Sequence, residues 1–393
     1  MGITFMTGGL EPGKTGVGDY SRLLARECLR RGVPCRLLAL ADPDIAAAHE
    51  EGGDLPLLRL PRQMAWPERI ARARTFLEAG KTDWISFQFV AYSYHPKGIP
   101  TGLARHLAPL VAGYRLEWMF HELWLGQYRE ASLKERAIGW LQGRATRACL
   151  AALRPALVHT SNPTYVRCLE RVGVPASQLP LFGNIAVVPA PGSGSWIRRE
   201  AAAHSLPVEE AERCRWWVFG LFGSLRPEWP SEPLFGRLQA AARRRGRSIA
   251  VASIGRLNAG EGLWKAMVAR YPDVRFVDFG PQSTERISEY LQWLDWGIAS
   301  TPWQLIGKSS TALSMLEHGL PVIVNRDDVH FPACDGITLY GDEPLLYRLG
   351  DDLEEYLDRG PRREAPAERL GAIAGRFLAD LEAAGATAVG ISP

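Results

Sequence analysis

The chain has 393 residues, of which 46% are hydrophobic and 23% are charged, and its formal net charge is +3. The length exceeds one ordinary core and predicts two domains of about 150–200 residues each. The composition excludes a disordered chain, and the small net charge excludes general electrostatic binding to nucleic acid.

The cysteines and the N-terminus indicate the compartment. Six cysteines are scattered along the chain, with no C-x-x-C pair and no histidine in metal-ligand spacing: Cys28, Cys35, Cys149, Cys168, Cys214 and Cys334. We expect reduced thiols, no metal centre and a cytoplasmic location. Met1 leads into a short strand without the features of a secretory signal, and no apolar stretch reaches the ~20 residues of a membrane span.

The chain opens with a strand–loop–helix–strand pattern. Residues 3–6 predict a strand, the glycine-rich loop Gly8–Gly18 follows, and a helix is predicted from an N-cap near Asp19 to Gly32. Residues 35–40 are a second apolar strand. This order is a βαβ unit, which implies a parallel sheet with helices on its faces.

The alternation continues on both sides of one linker. Strands are predicted over 84–90, 116–120 and 157–160, with helices over 101–112 and 132–153. The linker, 189–195, is rich in Pro, Gly and Ser. Beyond it we expect strands over 216–222, 248–254, 274–279, 296–299 and 321–324, helices over 234–245 and 310–318, and a tail helix over 365–384.

The predicted fold class is therefore α/β with two Rossmann-like domains. Residues 1–190 form the first domain, 191–364 form the second, and residues 365–393 form a C-terminal helix that packs back on the first. In open α/β sheets, ligands bind beyond the carboxyl ends of the strands. We therefore expect a site in the cleft between the two domains, built from residues that directly follow strands.

The loop after the first strand matches the phosphate-binding pattern G-x-x-x-x-G-K-[ST] at Gly8–Thr15. We reject a P-loop NTPase for two reasons: Gly16-Val17-Gly18 is a poor helix start after Thr15, and no acidic partner for Mg²⁺ ends another apolar strand. Two interpretations remain. Either Gly16, Val17 and Gly18 allow the backbone to approach a phosphate or sugar, or the loop is a tight turn without a ligand.

The second loop, after residues 116–120, carries His121 and Glu122 and then Trp124. A histidine there can donate to a sugar hydroxyl, and tryptophan rings stack on sugars. The alternative is a structural histidine whose hydrogen bonds are satisfied within the core.

Two further loops follow strands in the second predicted domain. Gly307, Lys308, Ser309, Ser310 and Thr311 open a helix, where a cation, hydroxyl groups and the helix dipole favour an anion. The alternative there is a plain N-cap with an exposed lysine. Arg226 follows another strand, and it either reaches a diphosphate or is an ordinary surface residue.

The helix predicted over 132–153 mixes cations such as Lys134 and Arg144 with Trp140 and Leu141. Such a face either docks on the inner, anionic surface of a membrane or is the solvated side of a core-packed helix.

Four segments resemble the GT-B glycosyltransferases, and most nearly the large retaining family of bacterial sugar transferases, glycosyltransferase family 4. Gly16–Tyr20 resembles that family's glycine loop, and Phe120-His121-Glu122 resembles its histidine loop. Leu181–Asn184 resembles the segment before its interdomain linker, and Met315–Val324 is similar to its donor-domain helix, turn and strand.

The resemblance implies metal-independent, cofactor-free and retaining transfer of a sugar from a nucleotide diphospho-sugar to a glycan, lipid or small molecule. It implies catalytic roles for His121, which contacts the transferred sugar, and Glu122. The implied donor-binding residues are Gly16, Val17, Gly18, Arg226, Lys308, Ser309, Ser310, Thr311 and Glu317.

The chain also departs from the family's pattern. Two glutamates that the family carries fall on Ile306 and Ser314, and its arginine and lysine fall on Ser224 and Trp229. We expect Arg226 and Lys308 to compensate at the diphosphate and Glu317 to contact the ribose. Two alternatives stay open: a nucleotide-sugar epimerase of the same fold, and a catalytically silent protein that binds a nucleotide or sugar.

Overall fold

The computed structural model describes residues 1–389, which fold into two compact units. The first unit contains residues 1–181 and 330–337 and the C-terminal helix that begins at Leu370. The second contains residues 182–329 and 338–369. The chain first passes between the units at Leu181 and Phe182, while the predicted boundary at residue 190 stays a prediction.

The first unit is built on an eight-stranded sheet. Its strands are β1 (Ile3–Thr7), β2 (Cys35–Asp42), β3 (His49–Glu51), β4 (Leu57–Pro61), β5 (Trp84–Phe89), β6 (Arg115–Phe120), β7 (Leu157–Thr160) and β8 (Ser177–Gln178). Their order is β3-β4-β2-β1-β5-β6-β7-β8, and only β3 is antiparallel to its neighbour. The central strands β1, β4 and β5 are buried throughout because helices cover both faces of the sheet.

The described residues of the first unit form these α-helices: α1 (Gly16–Arg30), α2 (Trp66–Glu78), α3 (Ala91–Tyr94), α4 (Leu103–Val111), α5 (Leu133–Leu153), α6 (Pro163–Glu170) and, from the C-terminus, α14 (Leu370–Val389). A capping box formed by Ser132 and Glu135 fixes the start of α5. Helix α14 packs against α1 and buries Ile373, Phe377 and Leu381, so the apolar stripe of the tail helix faces the core as its spacing indicates.

The predicted start of the first helix was wrong. Helix α1 begins at Gly16, not near Asp19, and Thr15 is its N-cap, with Oγ1 accepting from the Gly18 amide at 3.0 Å. A Cβ on Gly18 would lie 2.9 Å from the carbonyl oxygen of Gly9. Gly18 therefore allows the first helical turn to pack closely against the preceding loop, and it does not interrupt the helix.

The second unit is built on a six-stranded, fully parallel sheet. Its strands are β9 (Trp216–Phe222), β10 (Ser248–Ile254), β11 (Val274–Asp278), β12 (Trp296–Ala299), β13 (Val322–Val324) and β14 (Leu346–Arg348). Their order is β11-β10-β9-β12-β13-β14. Numbered from β9, this is 3-2-1-4-5-6, the doubly wound order that reverses between β9 and β12.

Seven helices lie in this unit: α7 (Trp196–Ala203), α8 (Glu210–Arg213), α9 (Ser231–Arg244), α10 (Glu261–Arg270), α11 (Thr284–Trp293), α12 (Ser310–Glu317) and α13 (Leu353–Asp358). The predicted α/β class with two Rossmann-like sheets is confirmed. No helix among the described residues is both long enough and apolar enough to cross a bilayer.

Glu27 provides a pH-dependent link within the first unit. Its carboxylate accepts from Nε of Arg30 and Nε of Arg31, each at 2.8 Å, and Arg31 also donates to the carbonyl oxygen of Gly371 at 2.6 Å. The hydrogen bonds from Arg30 and Arg31 lower the pKa of Glu27 from 4.5 to about 2. The ionised form is therefore favoured in the folded chain.

We expect Glu27→Gln to lower the free energy of unfolding at neutral pH. Because the folded pKa lies below the unfolded one, this stabilisation is fully present above pH 4.5 and is lost as the pH falls towards 2. Urea unfolding of both proteins across this range measures the difference. The matched exposed variant Glu78→Gln should show no such pH-dependent gap, and a gap for Glu27→Gln that persists to pH 2 would contradict the assignment.

Candidate functional site

The glycine-rich loop after β1 is held firmly by neighbouring side chains. The buried carboxylate of Asp42 accepts from the Leu10 amide at 3.0 Å, and Arg22 donates to the Leu10 carbonyl oxygen at 2.6 Å. A Cβ on Gly8 would lie 2.3 Å from Cβ of Ser93, in the segment after β5. The loop therefore lies at the point where the strand order of the first sheet reverses, between β1 and β5.

The amides of this loop give a structural reason against a P-loop. The Gly13 amide donates to Oδ1 of Asp19 at 3.0 Å, and the Lys14 amide donates to the Glu11 carbonyl at 3.2 Å. The Gly18 amide donates to Oγ1 of Thr15. A P-loop directs such amides at phosphate oxygens, whereas here they bind the protein's own acceptors. Both reasons expected from the sequence were wrong, because α1 begins directly after Thr15 and the apolar strand β2 ends in Asp42. The Asp42 carboxylate is bound by the Leu10 amide and by Arg59.

His121 lies at the carboxyl end of β6 and is buried. Its Nε2 lies 2.7 Å from Oε1 of Gln88, and its ring meets the Tyr20 ring edge-on, with centroids 5.0 Å apart. Burial raises the pKa of Tyr20 well above its usual value, so Tyr20 is a neutral phenol. The structure thus brings the glycine-loop helix and the histidine loop together, while Glu122 is exposed beside them.

Three strand ends of the second unit are marked by glycines with positive φ. Gly223 follows β9, Gly255 follows β10 and Gly280 comes shortly after β11, with φ of +81°, +101° and +62°. A Cβ on Gly223 would lie 3.0 Å from Cγ2 of Thr311, and one on Gly255 would lie 3.1 Å from Cα of Gly223. The strand ends therefore pack tightly against the first turn of α12, at the reversal between β9 and β12.

The first turn of α12 carries the hydroxyl groups that the sequence singles out. Ser309 is the N-cap: its Oγ lies 3.3 Å from the Ala312 amide and 3.0 Å from Oγ1 of Thr311. The Gly307 amide donates to the Tyr340 hydroxyl at 3.2 Å. Lys308 is half-buried at the end of the 3₁₀ turn Trp303–Lys308. The Ala312 amide is thus bound by the cap. The first amides of an α-helix have no acceptor within the helix, which makes a helix N-terminus favourable for an anion.

Glu317, predicted to contact a ribose, lies inside the second unit. Its Oε1 accepts from the Gly183 amide at 2.9 Å, and Oγ of Ser314 accepts from the Asn184 amide at 3.1 Å. Burial raises the pKa of Glu317. One side of α12 therefore binds the segment that resembles the family's approach to the linker, and the ribose contact of Glu317 stays a prediction.

Arg226 and Ile306 have different environments. The Arg226 side chain is 63% exposed and forms a 3.6 Å ion pair with Glu228. Ile306, which stands where the resemblance predicts a glutamate, is buried in the core. Arg226 is thus an exposed cation whose predicted diphosphate contact stays a prediction, and the buried Ile306 side chain is apolar.

A cavity of about 430 Å³ opens where β10 and β11 end. It is lined in part by Arg256, Trp264, Lys265 and Asp278. Its volume falls within the range of small-molecule sites. This cavity was not predicted from the sequence. Gly255 and Arg256 directly follow an apolar strand, which is the same pattern that made Gly223 and Arg226 candidates.

The exposed side of α5 carries Leu133, Trp140 and Leu141, whose exposed fractions are 86%, 62% and 44%. The Arg144 guanidinium lies 5.8 Å from the Trp140 ring centroid. Trp140, Leu141 and Arg144 belong to the predicted membrane contact, whereas Leu133 was not part of it, and the contact stays a prediction.

The fold is similar to several solved structures. A glycosyltransferase from Rickettsia africae is 10% identical, with 91% of this chain and 87% of that chain covered and a TM-score of 0.54. The catalytic domain of Arabidopsis thaliana starch synthase IV, bound to ADP and acarbose, is 14% identical, with 91% of both chains covered and a TM-score of 0.50. The UDP-GlcNAc 2-epimerase of Methanocaldococcus jannaschii is 10% identical, with 97% and 99% covered and a TM-score of 0.50.

These likenesses show the fold, which is the two-unit Rossmann-like architecture of the GT-B glycosyltransferases. The predicted architecture is confirmed, and it is shared by transferases and an epimerase alike. No protein-family model and no curated protein matches the sequence. A shared fold does not define the reaction, which depends on the residues of the site.

Proposed function

We propose that the chain is a glycosyltransferase that moves a sugar from a nucleotide diphospho-sugar to an acceptor. The observation that carries the proposal is the first turn of α12, where Lys308, Ser309 and Thr311 lie beside Gly223 at the strand-order reversal of the second sheet. A lysine, hydroxyl groups and helix amides together are suited to a diphosphate.

The second unit supplies the rest of a nucleotide site in this proposal. The cavity beside β10 and β11 holds the nucleoside, with Trp264 as its apolar wall and Arg256 and Lys265 as cations at its edge. Starch synthase IV, which shares the fold, is bound to ADP. The phosphates then extend along the glycine-marked strand ends to Lys308.

The chemistry follows from the charge that develops on the leaving group. The bond between the sugar's anomeric carbon and the diphosphate oxygen breaks, an acceptor oxygen forms the new glycosidic bond, and the acceptor's proton passes to the released diphosphate. Lys308 and the amides of α12 stabilise the departing diphosphate, which is usually the largest contribution in such catalysis. The resemblance alone supports a contact of His121 with the transferred sugar and a catalytic role for Glu122.

The stereochemical outcome and the independence from metal are implied by the resemblance alone. The family's two glutamates are replaced here by Ile306, which is buried in the core, and Ser314, which accepts from the Asn184 amide. Retention of the anomeric configuration is therefore a separate proposal. An epimerase is the second candidate because one shares the fold. A catalytically silent binding protein is the third, and the replaced glutamates favour it.

A binding panel followed by a turnover assay tests these candidates. Thermal shifts with nucleoside diphosphates and their sugars should identify one base that stabilises the chain by mass action. The matching radiolabelled nucleotide-sugar should then yield the free nucleoside diphosphate by transfer or slow hydrolysis. Isomerised donor without release of the diphosphate indicates the epimerase, binding without turnover indicates the silent protein, and no binding at all overturns the proposal.

A further inference from the structure

Four polar side chains lie inside the first sheet among apolar neighbours. They are Ser86 and Gln88 of β5, Glu117 of β6 and His159 of β7, and each is at most 1% exposed. Buried polar groups cost free energy unless they are paired, and a buried carboxylate costs most. Their pairing therefore indicates what they do.

The hydrogen bonds run without a break from Glu117 to His121. Oε2 of Glu117 lies 2.6 Å from Oγ of Ser86, and Oγ of Ser86 lies 2.6 Å from Nε2 of Gln88. Oε1 of Gln88 lies 2.7 Å from Nε2 of His121. A buried anion is thus linked through two neutral groups to the histidine at the strand end.

On its other side Glu117 meets a histidine. Nδ1 of His159 lies 3.0 Å from Oε1 of Glu117, and Nε2 of His159 lies 3.2 Å from Oδ2 of Asp380 on α14. Carboxylate oxygens accept hydrogen bonds, so each ring nitrogen of His159 lies where an N–H group can donate to one of them. On this side Glu117 is therefore paired by a histidine inside the sheet.

The charge of Glu117 fixes the direction of every donor between it and His121. The Ser86 hydroxyl has one hydrogen, and the carboxylate takes it. Ser86 must then accept from the Gln88 NH₂ group, which turns the Gln88 carbonyl towards His121. A carbonyl only accepts, so Nε2 of His121 must carry a proton.

We propose that Glu117 is a positioning residue that, through Ser86 and Gln88, holds His121 in one ring orientation with its proton on Nε2. Any acid–base or hydrogen-bonding change at His121 during a reaction then takes place at Nδ1. Only this catalytic consequence rests on the proposed function, while the tautomer is a property of the chain itself.

Glutamine at position 117 gives the sharpest test. The new amide can either accept from Ser86 or donate to it, so the direction of the chain is no longer fixed. In the reversed direction Ser86 donates to the Gln88 carbonyl and the Gln88 NH₂ group donates to His121. Glu117→Gln should therefore move part of the neutral His121 population from the Nε2–H to the Nδ1–H tautomer. Long-range ¹H–¹⁵N spectra of histidine-labelled protein read this directly, since the chain has only eight histidines, and His121→Asn assigns the signals.

Ser86→Ala is the second variant, in case Glu117→Gln fails to fold. It removes one hydroxyl, keeps the Glu117–His159 pair, and should release the Gln88 amide so that His121 populates both tautomers. Thr4→Val is the matched control, because Thr4 is a fully buried hydroxyl of β1 that bonds to Thr82 at 2.8 Å, outside this chain. Its His121 signals should equal those of the wild type.

A wild-type His121 in the Nδ1–H form, or an unchanged Nε2–H population in folded Glu117→Gln or Ser86→Ala, overturns the proposal. If the wild type transfers sugar, Ser86→Ala should lower kcat on the order of a hundredfold while leaving the KM for the donor unchanged. If the wild type has no transferase activity, the proposed function is wrong, but the tautomer of His121 can still be measured. The two proposals are therefore tested independently.

Discussion

Replacing Lys308 with alanine should weaken the binding of nucleoside diphosphate about ten- to a hundredfold. A charge-assisted contact to phosphate contributes roughly 1.5–3 kcal/mol, and its loss corresponds to that change in Kd. Lys308 is half-buried beside the capped first turn of α12, and we expect a thermal stability close to that of the wild type. Calorimetric titration with the nucleotide selected by the thermal-shift panel measures the effect.

Lys14→Ala is the internal control for this prediction. Lys14 is the lysine of the P-loop-like pattern, but it is exposed in a turn whose amides bind the protein's own acceptors. Its removal should leave the affinity unchanged. A loss of binding in Lys14→Ala together with normal binding in Lys308→Ala would show that the phosphate site is in the first unit.

Phe377→Ala should destabilise the first unit by about 3–5 kcal/mol. The Phe377 side chain is fully buried on α14, with its ring centroid 5.7 Å from that of Phe5 in β1 and 6.4 Å from that of His159. Truncation leaves a cavity between the C-terminal helix and the sheet. Urea unfolding should show a lower midpoint.

Glu382→Ala, an exposed substitution on the same helix, is the matched control and should change the free energy of unfolding by less than about 0.5 kcal/mol. If both variants unfold like the wild type, α14 contributes nothing to the first unit. A destabilised Phe377→Ala would also perturb the His121 spectrum, because Asp380 of α14 contacts His159.

Local sequence patterns predicted most of the regular structure. The apolar runs of β2, β5, β9 and β10 are long enough to identify buried parallel strands, and the helix predicted over 132–153 closely matches α5. The region between β2 and β5 was not predicted. There β3 is three charged or polar residues, His49–Glu51, and its strand form depends on pairing with β4.

The start of α1 shows why glycine residues can make a sequence-based prediction wrong. Glycine has a low helix propensity, so Gly16-Val17-Gly18 indicates a loop when only the local sequence is considered. In the folded chain, the close approach of Gly18 to the Gly9 carbonyl and the Thr15 cap outweigh that propensity. Tertiary packing decides such positions, and the glycine is required by the neighbouring loop.

The candidate site divides in the same way. Residues that directly follow strands, such as His121, Gly223 and Lys308, could be named from the sequence because parallel strands end at one edge of a sheet. The burial of Glu317 could not be predicted, because the Glu317 carboxylate accepts a hydrogen bond from Gly183, which lies 134 residues away in the sequence.

The sequence by itself determined the α/β class, the strand-end loops and the amphipathic tail helix, because those depend on periodicity and on turn residues within a few positions. Only the tertiary structure decided that Ser86, Glu117 and His159 lie side by side. The register of β5, β6 and β7 sets these neighbours, and α14 adds Asp380 from 221 residues away. A buried charge is interpretable only once its partners are known, since the cost of burial is offset by those partners alone.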